Sequence, residues 1–545
     1  MVLHLAWGGA QTDAVTQVWH DSPSPPLELD GSSLTVADVV RVARQNARCR
    51  LAPRALGRLE ATLRLKEELI EREIPIYGVT TGFGDSAHRQ IAPHRAAALQ
   101  RSLLLHLGCA TGPVASPEVT RATLLLRANC LAKGNSGVRV ELIDRLLTFL
   151  NLDILPLVRE RGSCGASGDL VPLSYIGSAL IGEADVLYRG DVCDARDVLA
   201  LQGLEPLEFE SKEALGLVNG TSFMTAFAAL ATHDARQLAA VAELCTAMAS
   251  EAILGNSGHF NAFLFEAKPH PGQIASARAI RELLADSQLA LDSELIVASR
   301  GLEGKNYIEL HRQVQDRYSI RCAPHVIGAL RDTLEWVERW ISIEMNSSDD
   351  NPLFDLDDRR VQSGGNFYGS HITQAMDSLK IALANLCDLV DRQLEIVIDE
   401  KFNMGLTPNL IPFFDSDDEE IGLHHGFKGA QLCASAMTAE ALHLSAPASI
   451  HSRSTEAHNQ DKVSMGTIGA RDARSIVELA QNIIAIHLLA CCQALELRGI
   501  DQASPRTRVA WERVREHVTF LDRDRRLDRD IATAVELIRS GDLPA

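Results

Sequence analysis

The stretch GSCGASGDLVPLSYIG, residues 162–177, decides our interpretation of the fold. Its centre is Ala166-Ser167-Gly168-Asp169, where Gly168 has no Cβ to block the close approach of one peptide to another. A lone Ala-Ser-Gly is usually a turn, with Ser167 and Asp169 as helix caps. A hydrolase nucleophile elbow needs Gly-x-Ser-x-Gly, and Asp169 stands where its last glycine would be. The stretch must therefore be interpreted together with the rest of the chain.

Seven further strings carry residue types suited to an active site. In chain order they are Ile74–Ser86, Leu99–Gly108, Leu217–Thr221, Gln315–Pro324, Glu344–Pro352, Gly364–Phe367 and Ser454–Asp461. Together with residues 162–177, and in this order, they resemble the aromatic amino acid ammonia-lyase and aminomutase family. The resemblance runs from about residue 35 to about residue 500. Each string alone is weak, but their order and residue types are jointly specific.

The resemblance implies a prosthetic group made from the chain itself. Ala166, Ser167 and Gly168 would cyclise to a 4-methylidene-imidazol-5-one (MIO) group, without any metal. The residue types suit this chemistry, because the unhindered Gly168 amide can reach the Ala166 carbonyl and Ser167 can lose water to leave a methylidene. The product is an electrophile, which ordinary side chains cannot supply. Asp169 matches the position that assists the cyclisation.

The resemblance also implies roles for individual side chains. Tyr77 would be the catalytic base and Tyr318 a second catalytic tyrosine. The implied substrate-binding residues are His106, Leu107, Asn219, Arg321, Asn351, Phe367, Lys428, Glu456 and Gln460. A base at Tyr77 needs a pKa below the ordinary value of about 10, and we expect nearby positive charge or helix ends to lower it.

Two of these side chains suggest the substrate. A lone histidine on an apolar helix is usually a satisfied core residue, but His106-Leu107 stands where tyrosine-specific members carry His-Leu and phenylalanine-specific members Phe-Leu. A buried imidazole there can hydrogen-bond a phenol hydroxyl. An isolated arginine is usually a surface residue, yet the planar fork of Arg321 suits a bidentate clamp on the substrate carboxylate. The resemblance thus predicts an enzyme that eliminates ammonia from L-tyrosine to give p-coumarate.

Several alternatives stay open at this point. A phenylalanine lyase has the same fold, and His106 argues against it. A 2,3-aminomutase would return the ammonia to the β-carbon, and Lys428 argues weakly against that. Histidine lyases carry glutamate at the place of Gln460, and an inactive helical scaffold is disfavoured by the intact Ala-Ser-Gly. Two departures from the family pattern, Tyr368 and His325, affect details of the pocket.

Composition limits the partners and the compartment. With 53 Lys and Arg against 72 Asp and Glu, the formal charge is −19, which would repel nucleic acid. The eleven cysteines form no Cys-x-x-Cys pair, so we expect neither a zinc ribbon nor a redox motif, and an odd count suits the reducing cytoplasm. We predict no signal peptide and no membrane span, because the apolar run Ile483–Leu497 is interrupted by His487 and Gln493.

Periodicity predicts a mainly α fold with a long central helical bundle and an N-terminal α-rich domain that bears the MIO group, as in the histidine and phenylalanine ammonia-lyases. Apolar residues from Ile372 to Val397 step by three or four positions, which favours one helix over 372–403.

We predict an irregular arm (1–32), the MIO-bearing domain with its inner lid (33–225), the long-helix bundle (226–500) and a solvated C-terminal helix pair (501–545). Thr35 and Asp38 predict a capping box at the first helix. Gly82-x-Gly84-x-x-Ala87 loosely matches a dinucleotide fingerprint but lacks the acidic residue that motif needs. The family forms homotetramers with active sites shared between chains, and we expect the same here.

Overall fold

Helices dominate the computed structural model, which describes residues 25–292, 302, 304–310 and 313–544. The predicted mainly α fold class is confirmed. The helices are α1 (Val36–Gln45), α2 (Pro53–Glu71), α3 (Ala96–Leu107), α4 (Pro117–Ala132), α5 (Val140–Asn151), α6 (Leu170–Leu180), α7 (Ala195–Leu201), α8 (Glu213–Val218), α9 (Ser222–Ala252), α10 (Ala262–Glu266), α11 (Pro271–Leu283), α12 (Tyr318–Arg321), α13 (Ala323–Met345), α14 (Ser370–Ile398), α15 (Lys428–Leu444), α16 (Gly466–Arg498), α17 (Pro505–Arg515) and α18 (Asp528–Ser540).

Short strands form four small sheets in the described part of the chain. The strands are β1 (Leu27–Leu29), β2 (Cys49–Leu51), β3 (Thr111–Val114), β4 (Leu155–Pro156), β5 (Arg159–Arg161), β6 (Asp185–Tyr188), β7 (Asp191–Asp194), β8 (Leu353–Asp355) and β9 (Arg360–Gln362). β1 pairs with β2 in parallel, and the other pairs, β3–β5, β4–β6, β6–β7 and β8–β9, are antiparallel.

A bundle of long helices forms the centre of the molecule, as the sequence predicts. α16 packs along α9 and α14, and α13 packs against α9, α11 and α14. Every apolar position of α14 that steps by three or four from Ile372 to Val397 is buried. The helix ends at Ile398 rather than near 403, because the Asp399 carboxylate accepts the Lys401 amide at 2.9 Å and forms a local turn that competes with the helix.

The apolar run Ile483–Leu497 lies within α16, which is longer than the run itself. Among the described residues, α16 alone is long and apolar enough to cross a membrane by length and composition. In this protein 78% of its most apolar window is buried by other parts of the chain, as is usual for the central helix of a bundle.

The two ends of the chain differ in part from the predictions. Residues 1–24 of the predicted irregular arm lie outside the described residues, but 27–29 form strand β1, because Leu29 is buried and the segment pairs with Cys49–Leu51. The Thr35–Asp38 capping box is confirmed. At the other end the charged run 522–526 connects α17 to α18 instead of lying in a helix, and Leu537 and Ile538 pack α18 against the bundle. The division into four segments stays a prediction.

Candidate functional site

The Ala166-Ser167-Gly168 segment forms a tight turn between β5 and α6. Ser167 and Gly168 both have left-handed backbone conformations, with φ of 49° and 77°. A Cβ on Gly168 would lie 2.1 Å from the Gly220 carbonyl oxygen, so only glycine fits there. This close approach confirms that Gly168 allows one peptide to pack directly on another.

The Asn219–Thr221 segment is the peptide that packs on this turn. The Gly220 amide and the Asn219 Nδ2 both donate to the Ser167 carbonyl, each at 3.2 Å, and the Asp169 amide donates to the Gly220 carbonyl at 2.7 Å. Asn219 is buried, and its Oδ1 has no hydrogen-bond partner among the described residues. A buried acceptor without a partner beside Ser167 suits a site that takes up a further polar group.

Asp169 is fully buried next to the turn. Burial raises the pKa of its carboxyl to about 6, although Thr467, Ser163 and the Met224 amide all donate hydrogen bonds to it. A carboxyl that titrates near neutral pH can both accept and return a proton, which suits the role in cyclisation that the resemblance implies.

A cavity of about 270 Å³ opens from Ser167 towards α3. Its apolar lining suits an aromatic ring and consists of Phe83, Leu103, Leu107, Leu170, Val171 and Leu215. The polar groups on its border are Tyr77, His106, Ser163, Cys164, Asn219, Thr455, Glu456 and Gln460. The arrangement combines an apolar chamber with a small set of converging polar groups.

His106 lies at this cavity, but its exposure differs from the prediction. The sequence predicts a buried imidazole, whereas His106 is exposed in the single chain, because it occupies the solvent-facing side of the last turn of α3. Its Nδ1 lies 3.0 Å from the Ser102 carbonyl, which can only accept, so Nδ1 carries the proton. In the neutral ring Nε2 is then the acceptor, as the recognition of a phenol hydroxyl requires.

Tyr77 is half-buried, and its hydroxyl accepts the Gly84 amide hydrogen bond at 2.9 Å. The expectation that its pKa is lowered is wrong for the single chain. Burial raises the pKa of Tyr77 and the Glu456 carboxylate raises it further, while the Gly84 hydrogen bond opposes them. The expected positive charge is thus not the dominant influence on this hydroxyl.

The turn 455–460 brings Glu456 and Gln460 to the cavity. Glu456, Ala457 and His458 all have positive φ, and Thr455 pairs with Gln460 to close the turn. Gln460 Nε2 donates to the Ser167 hydroxyl at 3.2 Å. The structure thus brings together residues that are 293 positions apart in the chain.

A second cavity, of about 370 Å³, lies on another side of Ser167 and shares Tyr77, Asn219 and Gln460 with the first. Asn351, Phe367 and Tyr368 line it, and the Asn351 Oδ1 accepts the Gly364 amide at 2.8 Å. Asn351 and Phe367 therefore border the same space as Ser167, as does Tyr368, the departure from the family pattern.

The chain does not bring Tyr318 and Arg321 to this site. The Arg321 guanidinium lies 4.5 Å from the centre of the Tyr318 ring, and Arg321 Nε donates to the Asp316 carbonyl. The Asp316 carboxylate in turn accepts the Asn256 amide, just beyond the C-terminus of α9, whereas Ser167 contacts Gly220 just before its N-terminus. Since α9 has 31 residues, the two positions are roughly 45 Å apart.

Lys428 is also distant from Ser167. The residue before it, Phe427, bonds Asn409, and Leu410 accepts from Gln493 in the last third of α16. The start of α16 is the part that contacts the Ser167 turn, because Thr467 bonds Asp169. His325, the other departure from the pattern, packs on Phe265, and burial lowers its pKa.

The structure adds residues that the sequence analysis did not assign. Ser163 and Cys164 border the first cavity, and the only signal for them was their place inside the 162–177 stretch. Gly84 packs against Glu456, since a Cβ there would lie 1.4 Å from the carboxylate. Thr467 carries no motif, so its bond to Asp169 follows from packing alone. Within the described residues, no group of three or more His, Cys, Asp or Glu could hold a metal ion.

Comparison with known proteins finds relatives that match nearly the whole chain. The profile of the family described as aromatic amino acid lyase matches residues 34–516. A histidine ammonia-lyase from Gloeobacter violaceus is 40% identical over 517 residues, covering 95% of this chain and 96% of that protein. A tyrosine ammonia-lyase from Cupriavidus metallidurans is 40% identical over 527 residues, covering 95% and 97%. The crystal structure of tyrosine aminomutase from Streptomyces globisporus is 37% identical, with a TM-score of 0.90 and coverage of 95% and 97%.

Proposed function

This chain belongs to the aromatic amino acid lyase family, and from that premise we propose that it eliminates ammonia from L-tyrosine to give trans-p-coumarate. The observation that carries the proposal is the Ser167 turn, which opens into an apolar cavity bordered by His106 and Tyr77. The Nε2 acceptor of His106 would bind the phenol hydroxyl, and the apolar lining would hold the ring.

We propose that Ala166, Ser167 and Gly168 form an MIO group, since the chain fits it. The left-handed Ser167 and Gly168, the contact of Gly168 with Gly220, and the unpartnered Asn219 Oδ1 all support a cyclised backbone here. When formed, the group supplies an electrophile for the substrate amine. Asn219 and Gln460 are close enough to hold it in place.

The remaining steps use the chain's own side chains. Tyr77 would remove the β-proton of the substrate, which is poorly acidic and needs a base of matched pKa. Because burial and Glu456 raise the pKa of Tyr77 in the single chain, we propose that the substrate ammonium and Arg321 of a second chain supply the positive charge that lowers it. Arg321 would clamp the carboxylate there.

We therefore propose a homotetramer with shared active sites, acting in the cytoplasm on a small aromatic amino acid. Ser167 and Arg321 lie near opposite ends of α9, roughly 45 Å apart within one chain, which supports this, since one chain cannot bring both to one substrate. Tyr318 and Lys428 would likewise serve the site of another chain.

A second candidate is elimination from L-histidine, favoured by the 40% identity to a histidine ammonia-lyase. Two others share the fold, namely phenylalanine lyase and a tyrosine or phenylalanine 2,3-aminomutase. Incubation with each amino acid separates them, because p-coumarate, cinnamate and urocanate have distinct ultraviolet spectra and a β-amino acid is resolved by chromatography. Higher kcat/KM for histidine or phenylalanine than for tyrosine, or a β-amino acid as the main product, would refute the proposal.

A further inference from the structure

A buried ion pair lies directly behind the Asn219–Thr221 segment. Arg127 of α4 is fully buried, and its Nη2 lies 2.5 Å from Oδ1 of Asp349. Arg127 Nη1 also donates to the Asn219 carbonyl at 3.1 Å. Asp349 Oδ2 accepts from the Thr221 amide at 3.0 Å and from its hydroxyl at 2.8 Å. The ion pair therefore holds this segment at both ends.

The same segment is pressed against the Ser167 turn. A Cβ on Gly220 would lie 2.0 Å from Arg127 Nη1 and 2.6 Å from Asp349 Oδ1. On its other side the Gly220 carbonyl is so close to Gly168 that no Cβ fits between them. Ion pair, segment and turn thus form three layers in direct contact, and a shift of the ion pair must move the turn.

Glu344 extends the layer behind the segment. The Thr221 hydroxyl lies 2.7 Å from Glu344 Oε1 as well as near Asp349, but it has one proton to donate. The Arg127 guanidinium keeps the Asp349 carboxylate ionised, so the Thr221 hydroxyl donates its one hydrogen bond to Asp349. Glu344 must then keep its own proton to bond the Thr221 oxygen, in agreement with the burial that raises its pKa to about 7.

We infer that Arg127 and Asp349 are positioning residues for closure of the Ala166-Ser167-Gly168 ring. They touch none of the reacting atoms and act through Asn219, Gly220 and Thr221. These residues fix the Ser167 carbonyl and the Asp169 amide, which stand on either side of the Gly168 nitrogen. The inference rests on the proposed function, since it needs the ring to form.

The chemistry requires no co-reactant. The Gly168 nitrogen bonds to the Ala166 carbonyl carbon, and that oxygen leaves as water with the amide protons of Gly168 and Ser167. The Ser167 hydroxyl then leaves with the proton on its Cα as a second water. The first step depends on how closely the Gly168 nitrogen and the Ala166 carbonyl carbon are held together, and poor alignment of reacting atoms slows a reaction on the order of 100-fold.

The experiment follows ring closure by intact mass after cell-free synthesis of the full chain. D349N removes the charge that Arg127 pairs with, and R127K keeps the charge but loses the fork that reaches Asn219 and Asp349 together. D234N is the matched control, because Asp234 is also buried on α9 and paired with Arg44 and Arg474, yet has no contact with the turn. Folding of each variant is checked by circular dichroism and by its thermal midpoint.

We expect native protein and D234N to lose two water molecules at the same rate, although D234N melts at a lower temperature. D349N and R127K should fold and lose them about 10- to 100-fold more slowly, with the ring's ultraviolet absorbance appearing equally late. Ring closure at the native rate in either variant, or an equal delay in D234N, would overturn the inference. Native protein that keeps its full mass would instead refute the proposed function.

Discussion

Replacing His106 by phenylalanine tests how the substrate is selected. His106 Nδ1 is bound to the Ser102 carbonyl, so Nε2 is the one ring nitrogen that can accept from a substrate phenol. Phenylalanine removes this acceptor and extends the apolar lining of the cavity. A tyrosine substrate would then bury a hydroxyl without a partner, and phenylalanine would enter without desolvating an imidazole.

The size of the effect follows from the exposure of His106. A lost hydrogen bond costs about 1–3 kcal/mol when the remaining partner is buried. Because His106 is exposed in the single chain, we take the lower end, about 1 to 1.5 kcal/mol. This corresponds to roughly a five- to tenfold fall in kcat/KM for L-tyrosine. The ratio of kcat/KM for L-phenylalanine to kcat/KM for L-tyrosine should rise by at least that factor.

Initial rates with each amino acid, measured by the absorbance of p-coumarate and cinnamate, give the ratio. Leu105→Ala serves as the control, since Leu105 is exposed on the same helix and does not border the cavity of His106. An unchanged ratio in H106F, or an equal change in L105A, would refute the role of His106 in recognising the phenol.

Three further changes test other parts of the site. In G84A, the new Cβ must displace the Glu456 carboxylate, so we expect kcat/KM to fall on the order of tenfold in steady-state assays. Y77F and R321M should each be inactive alone, but co-expression should restore part of the activity, because in the proposed tetramer some sites would combine the native Tyr77 of one chain with the native Arg321 of another. E344Q should change the pH dependence of stability. Because the pKa of Glu344 is raised in the folded protein, its protonated carboxyl contributes its full stabilisation below pH 4.5, and this stabilisation is lost as the pH rises to about 7. The glutamine variant lacks this loss, so in urea unfolding its stability relative to native protein should increase by up to about 3 kcal/mol between pH 4.5 and pH 8.

Matched controls separate these effects from general damage. Gly190 also has a positive φ, but no atom of the described residues lies within 4 Å of its Cβ position, so G190A measures the backbone strain alone. An equally large fall in kcat/KM in G190A would refute displacement of the Glu456 carboxylate as the cause of the effect of G84A. Activity of the co-expressed Y77F and R321M chains no higher than that of either variant alone would contradict the proposed shared sites. Glu335 is exposed on the same helix as Glu344, and E335Q should leave the pH profile as it is in the native protein.

Local patterns were sufficient for part of the fold and part of the site. The spacing of apolar residues from Ile372 to Val397 predicts α14, because apolar residues that recur every three or four positions form the face that a helix buries. The Thr35–Asp38 cap was predictable for the same reason. The charged run 522–526 forms a loop rather than part of a helix, since charge indicates contact with solvent and is equally compatible with either structure.

Residue types and their order along the chain were enough to indicate the family, through the Ala166-Ser167-Gly168 segment, the tyrosines and the strings that surround them. Tertiary structure alone decided that burial and Glu456 raise the pKa of Tyr77, and that Arg321 lies far from Ser167. The physical reason is that a pKa and a distance depend on packing between segments remote in sequence. Periodicity and motifs describe only what neighbouring residues do.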